Sequence, residues 1–355
     1  MRPAMENIKT IEDLDAYHKK RKRISIIVVI AAVLGLVLAF FVALWWGGNF
    51  DLTISQIINV LFGKTYSEQE RFVVMDVRVP RLLCCIFVGA ALSTSGLVMQ
   101  SLFRNPMASP SVLGISSGAA FGAALAMAFG VGGFMGAFMV PGMAFIFCFI
   151  TMFLVYMLAR TKYGVAKTTL LLSGIAMGAF FSGLISVLQY MVDTDALAQI
   201  VYWTMGSFKD CGWNSFQIVL IPVVIGLLIV AFYARELNLI SSGEDQAANM
   251  GVNVKRTRII MMIATSLMVG GSVAISGVIG FVGLIVPHIF RMLVGPNHVL
   301  LIPLCIFGGG IFMIVMDTIA KSAFAIPFPV GVLTALIGAP FFIYIMRTRK
   351  REMWD

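Results

Sequence analysis

The stretch "IIMMIATSLMVGGSVAISGVIGFVGLIVPHIF", residues 259–290, carries no Asp, Glu, Lys or Arg. A hydrocarbon core of about 30 Å takes roughly 20 apolar residues as helix, so this run is long for one span and short for two full ones. The glycines of "ISGVIGFVG" (275–283) break it in the middle. How it divides decides whether the chain crosses a membrane nine times or ten, and hence whether its two ends share a side.

Other charge-free runs cover 24–50, 82–103, 105–159, 168–192, 211–234, 292–316 and 322–346. The run 105–159 is long enough for two passes, with "GVGGFMGAFMVPG" (130–142) as the turn. Both ends are basic, "HKKRKR" at 18–23 and "RTRKR" at 347–351, and the positive-inside rule puts both in the cytoplasm. An even count follows. The expectation is ten spans: one within 24–50, then roughly 83–103, 115–129, 136–159, 167–190, 214–234, 257–276, a short one near 284–293, 300–320 and 330–346. This threading leaves only Lys64, Arg71, Arg78, Arg81, Lys209 and Lys321 outside, out of 26 Lys and Arg residues.

Composition agrees, with 59% hydrophobic and 12% charged residues against about 25% charged in soluble domains. Mean hydropathy is +0.95 and the pI near 9.5. The basic balance follows from topology, and no nucleic-acid partner is needed to explain it. The first apolar run is not expected to be a cleaved signal, because its basic region is too long and no A-x-A-like site precedes "WWGGNFD" (45–51). Cys84, Cys85, Cys148, Cys211 and Cys305 lie mostly within spans and show no metal spacing; they are expected to be buried thiols, with no metal site.

Val88, Gly89, Ser95, Gly96, Pro106 and Gly114 recur 181 residues later as Val269, Gly270, Ser276, Gly277, Pro287 and Gly295. As a repeat, this gives units of five spans each, the second inverted in the membrane, a common transporter plan. Gly118-x-x-x-Gly122 and Gly174-x-x-x-Gly178 each put two glycines on one helix face, which suits close packing.

Chemistry is sparse. Asp317 and His288 are the main titratable groups at membrane depth, and an intramembrane charge is a functional candidate by default. Asp317 precedes Lys321 by one turn, so an i,i+4 pair is the simpler account. His288 follows Pro287 and is expected to bond backbone freed there. No paired acid and base supports an intramembrane enzyme. "GKT" (63–65) lacks the glycine a phosphate loop needs five positions earlier, where Ile58 stands, and no other such loop occurs. ATP-driven work would have to fall to another chain.

One polar island, "SSGEDQAANMGVNVKR" (241–256), interrupts the apolar text. Ser242 and Asp245 have capping-box spacing, Glu244 suits a first turn, and Gly251 is a helix stop. A two-turn helix is too short to hold alone, so a partner surface is expected.

Five segments in order resemble the iron-siderophore, haem and cobalamin permeases of ABC importers. They are "VRVPRLLCCIFVGAALSTSGLVMQSLFRNPMASPSVLGISSGA" (77–119), "YWTMGSF" (202–208), "GEDQAANMGVNV" (243–254), "SGVIGFVGLIVPHIFRMLVGPNH" (276–298) and "FPVGVLTALIGAPFFIYIMR" (328–347). The resemblance covers about 50–347 and leaves out the tail 1–23. It implies an all-α membrane protein of the type II importer permease kind, with ten helices in inverted five-helix repeats. A basic tail (1–23), a permease domain (24–347, coupling loop about 236–257) and a C-terminal tail (348–355) follow.

It also implies a second permease copy as a homodimer, two ATPase subunits that carry the ATP and Mg, and an external binding protein; this chain itself holds no cofactor. Ser242, Gly243, Glu244, Asp245, Ala247, Ala248, Met250 and Gly251 would seat in the ATPase. Arg78 and Arg81 match arginines that pair with binding-protein carboxylates; Lys321 replaces a third and lacks its bidentate fork. Lys167, Thr168 and Thr169 are the implied inner gate, Ser173 and Met177 the path, and Asn105, Pro106 and Pro287 shape bends, with Gln100 joining the first of them. The resulting expectation is a plasma-membrane importer of ferric siderophores or a similar metal chelate. Haem or cobalamin is the alternative, and a proton- or sodium-coupled carrier dependent on Asp317 the rival of another class.

Overall fold

The run that decides the span count is divided at two left-handed residues, Gly277 (φ 66°) and Phe281 (φ 67°), which close one helix and open the next. The structure is a computed structural model that describes residues 11–46, 52–130, 136–161, 164–323 and 326–348. Its helices in chain order are α1 (Ile11–Trp45), α2 (Ile54–Leu61), α3 (Glu68–Arg71), α4 (Val79–Phe103), α5 (Ile115–Ala128), α6 (Gly136–Ala159), α7 (Lys167–Met191) and α8 (Thr194–Thr204). There follow α9 (Trp213–Phe232), α10 (Ala234–Ser242), α11 (Glu244–Asn249), α12 (Val254–Ser276), α13 (Val282–Val294), α14 (His298–Ser322) and α15 (Val330–Thr348). Residues Arg160–Thr161 and Gly164–Val165 form a minimal antiparallel ladder.

Among the described residues, 7 helices are long and apolar enough to cross a membrane, and three shorter apolar ones lie at Ile115–Ala128, Val282–Val294 and Val330–Tyr344. Together these are the ten spans expected. The boundaries differ at the start, since α1 begins at Ile11 and the helix continues through much of the basic segment placed before residue 24. The second span also begins early. A π-helix, Phe72–Arg78, joins α3 to α4, and Val79 N donates to Val74 O across five residues. Pro80, at the second position of α4, crowds the carbonyl four residues back, and the wider turn accommodates it.

The two halves interlock through their second spans. α4 packs on α13 and α14 of the second half, and α12 packs on α5 and α6 of the first. The 181-residue spacing does not mark this relation, however. Gly96 lies inside α4 whereas Gly277 caps α12, Pro106 lies in a turn whereas Pro287 lies within α13, and Gly114 opens α5 whereas Gly295 closes α13.

Every residue of α4 from Val88 to Phe103 is buried. Lipid is as apolar as leucine, so such a helix is held by close packing and hydrogen bonds. Gly96 lies against the Gly283 backbone, and Gly89 against Gly309 and Gly310. Ser93 Oγ donates to Cys305 O at 2.6 Å, and Gln100 Nε2 to Gly283 O at 3.1 Å. A Cβ at Gly96 would collide with backbone, which cannot yield as a side chain can. Gly96→Val is therefore expected to cost at least the roughly 1–3 kcal/mol typical of overpacking. An unchanged melting temperature of the detergent-solubilised protein would show that α4 and α13 part freely.

The glycine pairs pack as their spacing predicts. Gly118 and Gly122 take the side of α6 at Thr151, Met143 and Phe147, while a Cβ on Gly174 would lie 2.5 Å from Leu113 Cα. All five cysteines are buried and free.

Candidate functional site

Polar residues gather at the two ends of the bundle. One end holds the starts of α7, α12 and α14 with the island, and the other holds the end of α1, the starts of α4 and α9 and the end of α14.

At the first end α10 runs to Ser242, the chain turns at Gly243, and α11 follows until Gly251 (φ 86°) stops it. The Ser242–Asp245 capping box does not form. Ser242 is still helical in α10 and its hydroxyl donates back to Asn238 O at 3.2 Å, leaving Gly243 as the N-cap without a side-chain bond. α11 buries Ala247 and exposes Asp245, Ala248 and Met250, the last at 69%. Asn253 Oδ1 then accepts from Arg256 N at 3.0 Å to begin α12.

Glu244 is the pivot of this end. Its Oε1 meets Lys167 Nζ at 2.8 Å and also the Arg258 guanidinium, so the island is tied to the first residue of α7 and the first turns of α12. Burial pushes the Glu244 carboxyl up, but hydrogen bonds and charge from Lys167 and Arg258 outweigh it and hold it below its usual 4.5. Lys167, expected at a gate, thus touches the residue expected in the coupling loop. Further along α7, Thr169, Ser173 and Met177 recur at i,i+4 and are half-buried on one face, while Thr168 is exposed beside them.

The bends separate into two cases. Arg104 is left-handed (φ 49°), and Asn105 Oδ1 accepts from Met107 N at 2.9 Å, so a turn through Pro106 follows α4. Gln100 lies inside α4 and ties it to α13 instead. Pro287 lies within α13, which continues through it, and the interruption of the run lies ahead, at 277–281.

At the other end, Arg81 Nε and Nη2 donate to Asp317 Oδ2 and Oδ1 at 3.0 and 2.8 Å, and Lys321 Nζ lies 2.8 Å from Oδ2. The i,i+4 pair exists and Arg81 of α4 completes it. Asp317 is fully buried, and its two cations leave the cluster net positive. Arg78 departs from the expected surface role. It is 6% exposed and donates to the carbonyls of Leu44 and Trp45, because the π-helix turns it toward the end of α1.

Helix α8 was missed by sequence reasoning, although Asp193, whose Oδ1 caps Ala196 N at 2.8 Å, is an N-cap signal just after the α7 run. Its Ile200 is buried, and the "TMGSF" that follows lies between the end of α12 and the start of α15: Ser207 N donates to Ser276 O at 2.8 Å and Gly331 N to Gly206 O at 3.1 Å.

Comparison with known proteins matches this architecture. The FecCD transport family aligns over residues 34–348. The cobalamin import system permease of Halobacterium salinarum is 40% identical over 299 residues, 84% of this chain and 79% of that protein. The hemin transport system permease of Yersinia pestis is 35% identical over 327 residues, 90% and 96% of the two chains. A solved structure described as an inward-facing metal-chelate type ABC transporter superposes with a TM-score of 0.81 at 34% identity, over 90% of this chain and 99% of that one. The chain is a multi-pass membrane permease of the FecCD transport family, a transport component of the type II ABC importer class.

Proposed function

We propose that this chain is the permease of an ATP-driven importer for a ferric siderophore or a similar metal chelate, working as a homodimer with two separate ATPase subunits. ATP and Mg belong to those subunits, and this chain contributes no cofactor. The island end is cytoplasmic, with both termini, in the plasma membrane; the Asp317 end faces an external binding protein. The observation that carries the reading is the contact of Glu244 with Lys167, which joins the exposed helix α11 to the first residue of α7. An ATPase that seats α11 through Asp245, Ala248 and Met250 would thereby move α7 and its Thr169, Ser173 and Met177 face.

On the opposite end, Arg81 and Lys321 present the net positive charge that would meet binding-protein carboxylates, while Arg78 is turned toward the end of α1. A proton-coupled carrier built on Asp317 is disfavoured, because that carboxylate is already engaged by two cations. Haem and cobalamin stand as second substrates because the similar permeases carry those names.

The test is uptake of radiolabelled ferric siderophore, haem and cyanocobalamin by cells carrying this permease with its candidate ATPase and binding protein, each deleted in turn. Uptake of one ligand that needs all three components is expected. Uptake that survives loss of the ATPase and collapses with the proton gradient would overturn the reading.

A further inference from the structure

A polar tie fastens α10, and with it the island, to the rest of the bundle. Asn238 Oδ1 accepts from His298 N at 2.8 Å and lies 2.7 Å from His298 Nδ1, while its Nδ2 donates to Asn297 Oδ1 at 3.1 Å. An amide oxygen only accepts, so Nδ1 carries a hydrogen and Nε2 is left to meet Ser101 Oγ, with which it is in hydrogen-bond contact. His298 is 2% exposed and opens α14; Ser101 is buried in the last turn of α4. One imidazole therefore joins three helices that are far apart in sequence.

The two helices it reaches beyond α10 form a unit. α4 and α14 touch backbone to backbone at Gly89 and Gly309, are bonded through Ser93 and Cys305, and are joined at their far ends by Arg81 and Asp317. α10 is fixed less completely. Leu237 and Ile240 bury one face of it, whereas on the side of Asn238, Ser241 and Ser242 a groove of about 640 Å³ opens toward Ser25 and Leu300. A helix with free volume on one side can shift there, and a half-buried, satisfied polar contact on that side is a specific point at which the shift is felt.

We infer that His298 is a positioning residue that conveys movement of α10 and α11 to the α4–α14 unit, so that the island end and the Asp317 end respond together. This rests on the importer reading above. It adds a route out of the island that reaches α4 and α14, distinct from the Glu244 contacts, which reach α7 through Lys167 and α12 through Arg258.

The experiment uses the assembled permease, ATPase and binding protein in proteoliposomes, with ferric siderophore, haem and cyanocobalamin each supplied. His298→Leu is expected to reduce uptake about tenfold, within the 5–150-fold span of ordinary coupling, while hydrolysis without binding protein is unchanged and ATP consumed per ligand rises. Asn238→Ala should act in the same direction, and the double variant should fall clearly short of the sum of the two, because both remove the Nδ1–Oδ1 contact. His298→Gln, which can still donate to Asn238, should recover part of the loss. Ser101→Ala is the milder variant should His298→Leu fail to assemble. A purely structural role would lower yield and melting temperature and would leave ATP per ligand unchanged, which would overturn the inference, as would additive single effects. If wild-type uptake is ATP-dependent and all variants match it, the inference fails alone; if wild type shows no ATP-dependent uptake, the importer reading fails and takes the inference with it.

Discussion

Asp317→Asn is expected to destabilise the folded permease by about 3–5 kcal/mol, the usual cost of stranding a buried charge by removing its partner. Here two cations are stranded at once, since Arg81 and Lys321 both rely on a carboxylate that is fully buried. Loss of monodisperse protein in detergent, or a large drop in melting temperature, is the measurement. The combined variant Arg81→Leu, Asp317→Leu, Lys321→Leu should recover much of the stability, because replacing a whole buried ionic set with apolar groups leaves nothing unpaired. An Asp317→Asn protein that melts like wild type yet has lost uptake would point to a proton-carrying role and against the ATP-driven reading.

Glu244→Lys should act in the opposite way, with a large effect on transport and a small one on stability. The Glu244 side chain is 31% exposed, and solvent-accessible ion pairs are worth about 0–1 kcal/mol. The substitution places a third cation beside Lys167 and Arg258 and drives α11 from the start of α7. Uptake should fall by at least about tenfold, a change that needs only about 1.4 kcal/mol of lost coupling, with insertion unaffected. Adding Gly251→Pro, where φ is 86° and proline requires about −65°, should abolish transport-linked ATP hydrolysis altogether. Unchanged uptake and hydrolysis would remove the island from the mechanism. The sign of the pH effect follows from the lowered Glu244 value: the contact is fully present above the unfolded value of about 4.5 and is lost as pH falls through the lower folded one. Glu244→Gln should therefore imitate at neutral pH what wild type shows only in strong acid.

What was legible in the sequence is local. Charge-free runs and basic ends give the ten spans, and "ISGVIGFVG" marks the break that divides 259–290, because glycine readily takes the positive φ at which α12 closes and lipid-length spans need unbroken apolar text. What was not legible depends on partners distant in the chain. Arg81 meets Asp317 across 236 residues, and His298 meets Ser101 across 197; no spacing rule reaches that far. Arg78 reads as a surface cation until the π-helix is seen, since one extra residue in a turn rotates a side chain to another face. The capping box at Ser242 failed for a similar reason, the preceding helix having claimed that residue first.

The burial of α4 also has a consequence in time. Ser93 must find Cys305, which lies 212 residues later in the chain, and at a synthesis rate of about 5–20 residues per second the first waits roughly 10–40 s for the second. For that interval a helix lined with glycine, serine and threonine stands in lipid, or beside a helper, without its mate. Completion of the protein thus depends on the final stretch of the message arriving, and a ribosome that stalls before α14 leaves behind a bundle whose central helix lacks the partner that meets Gly89 and Ser93.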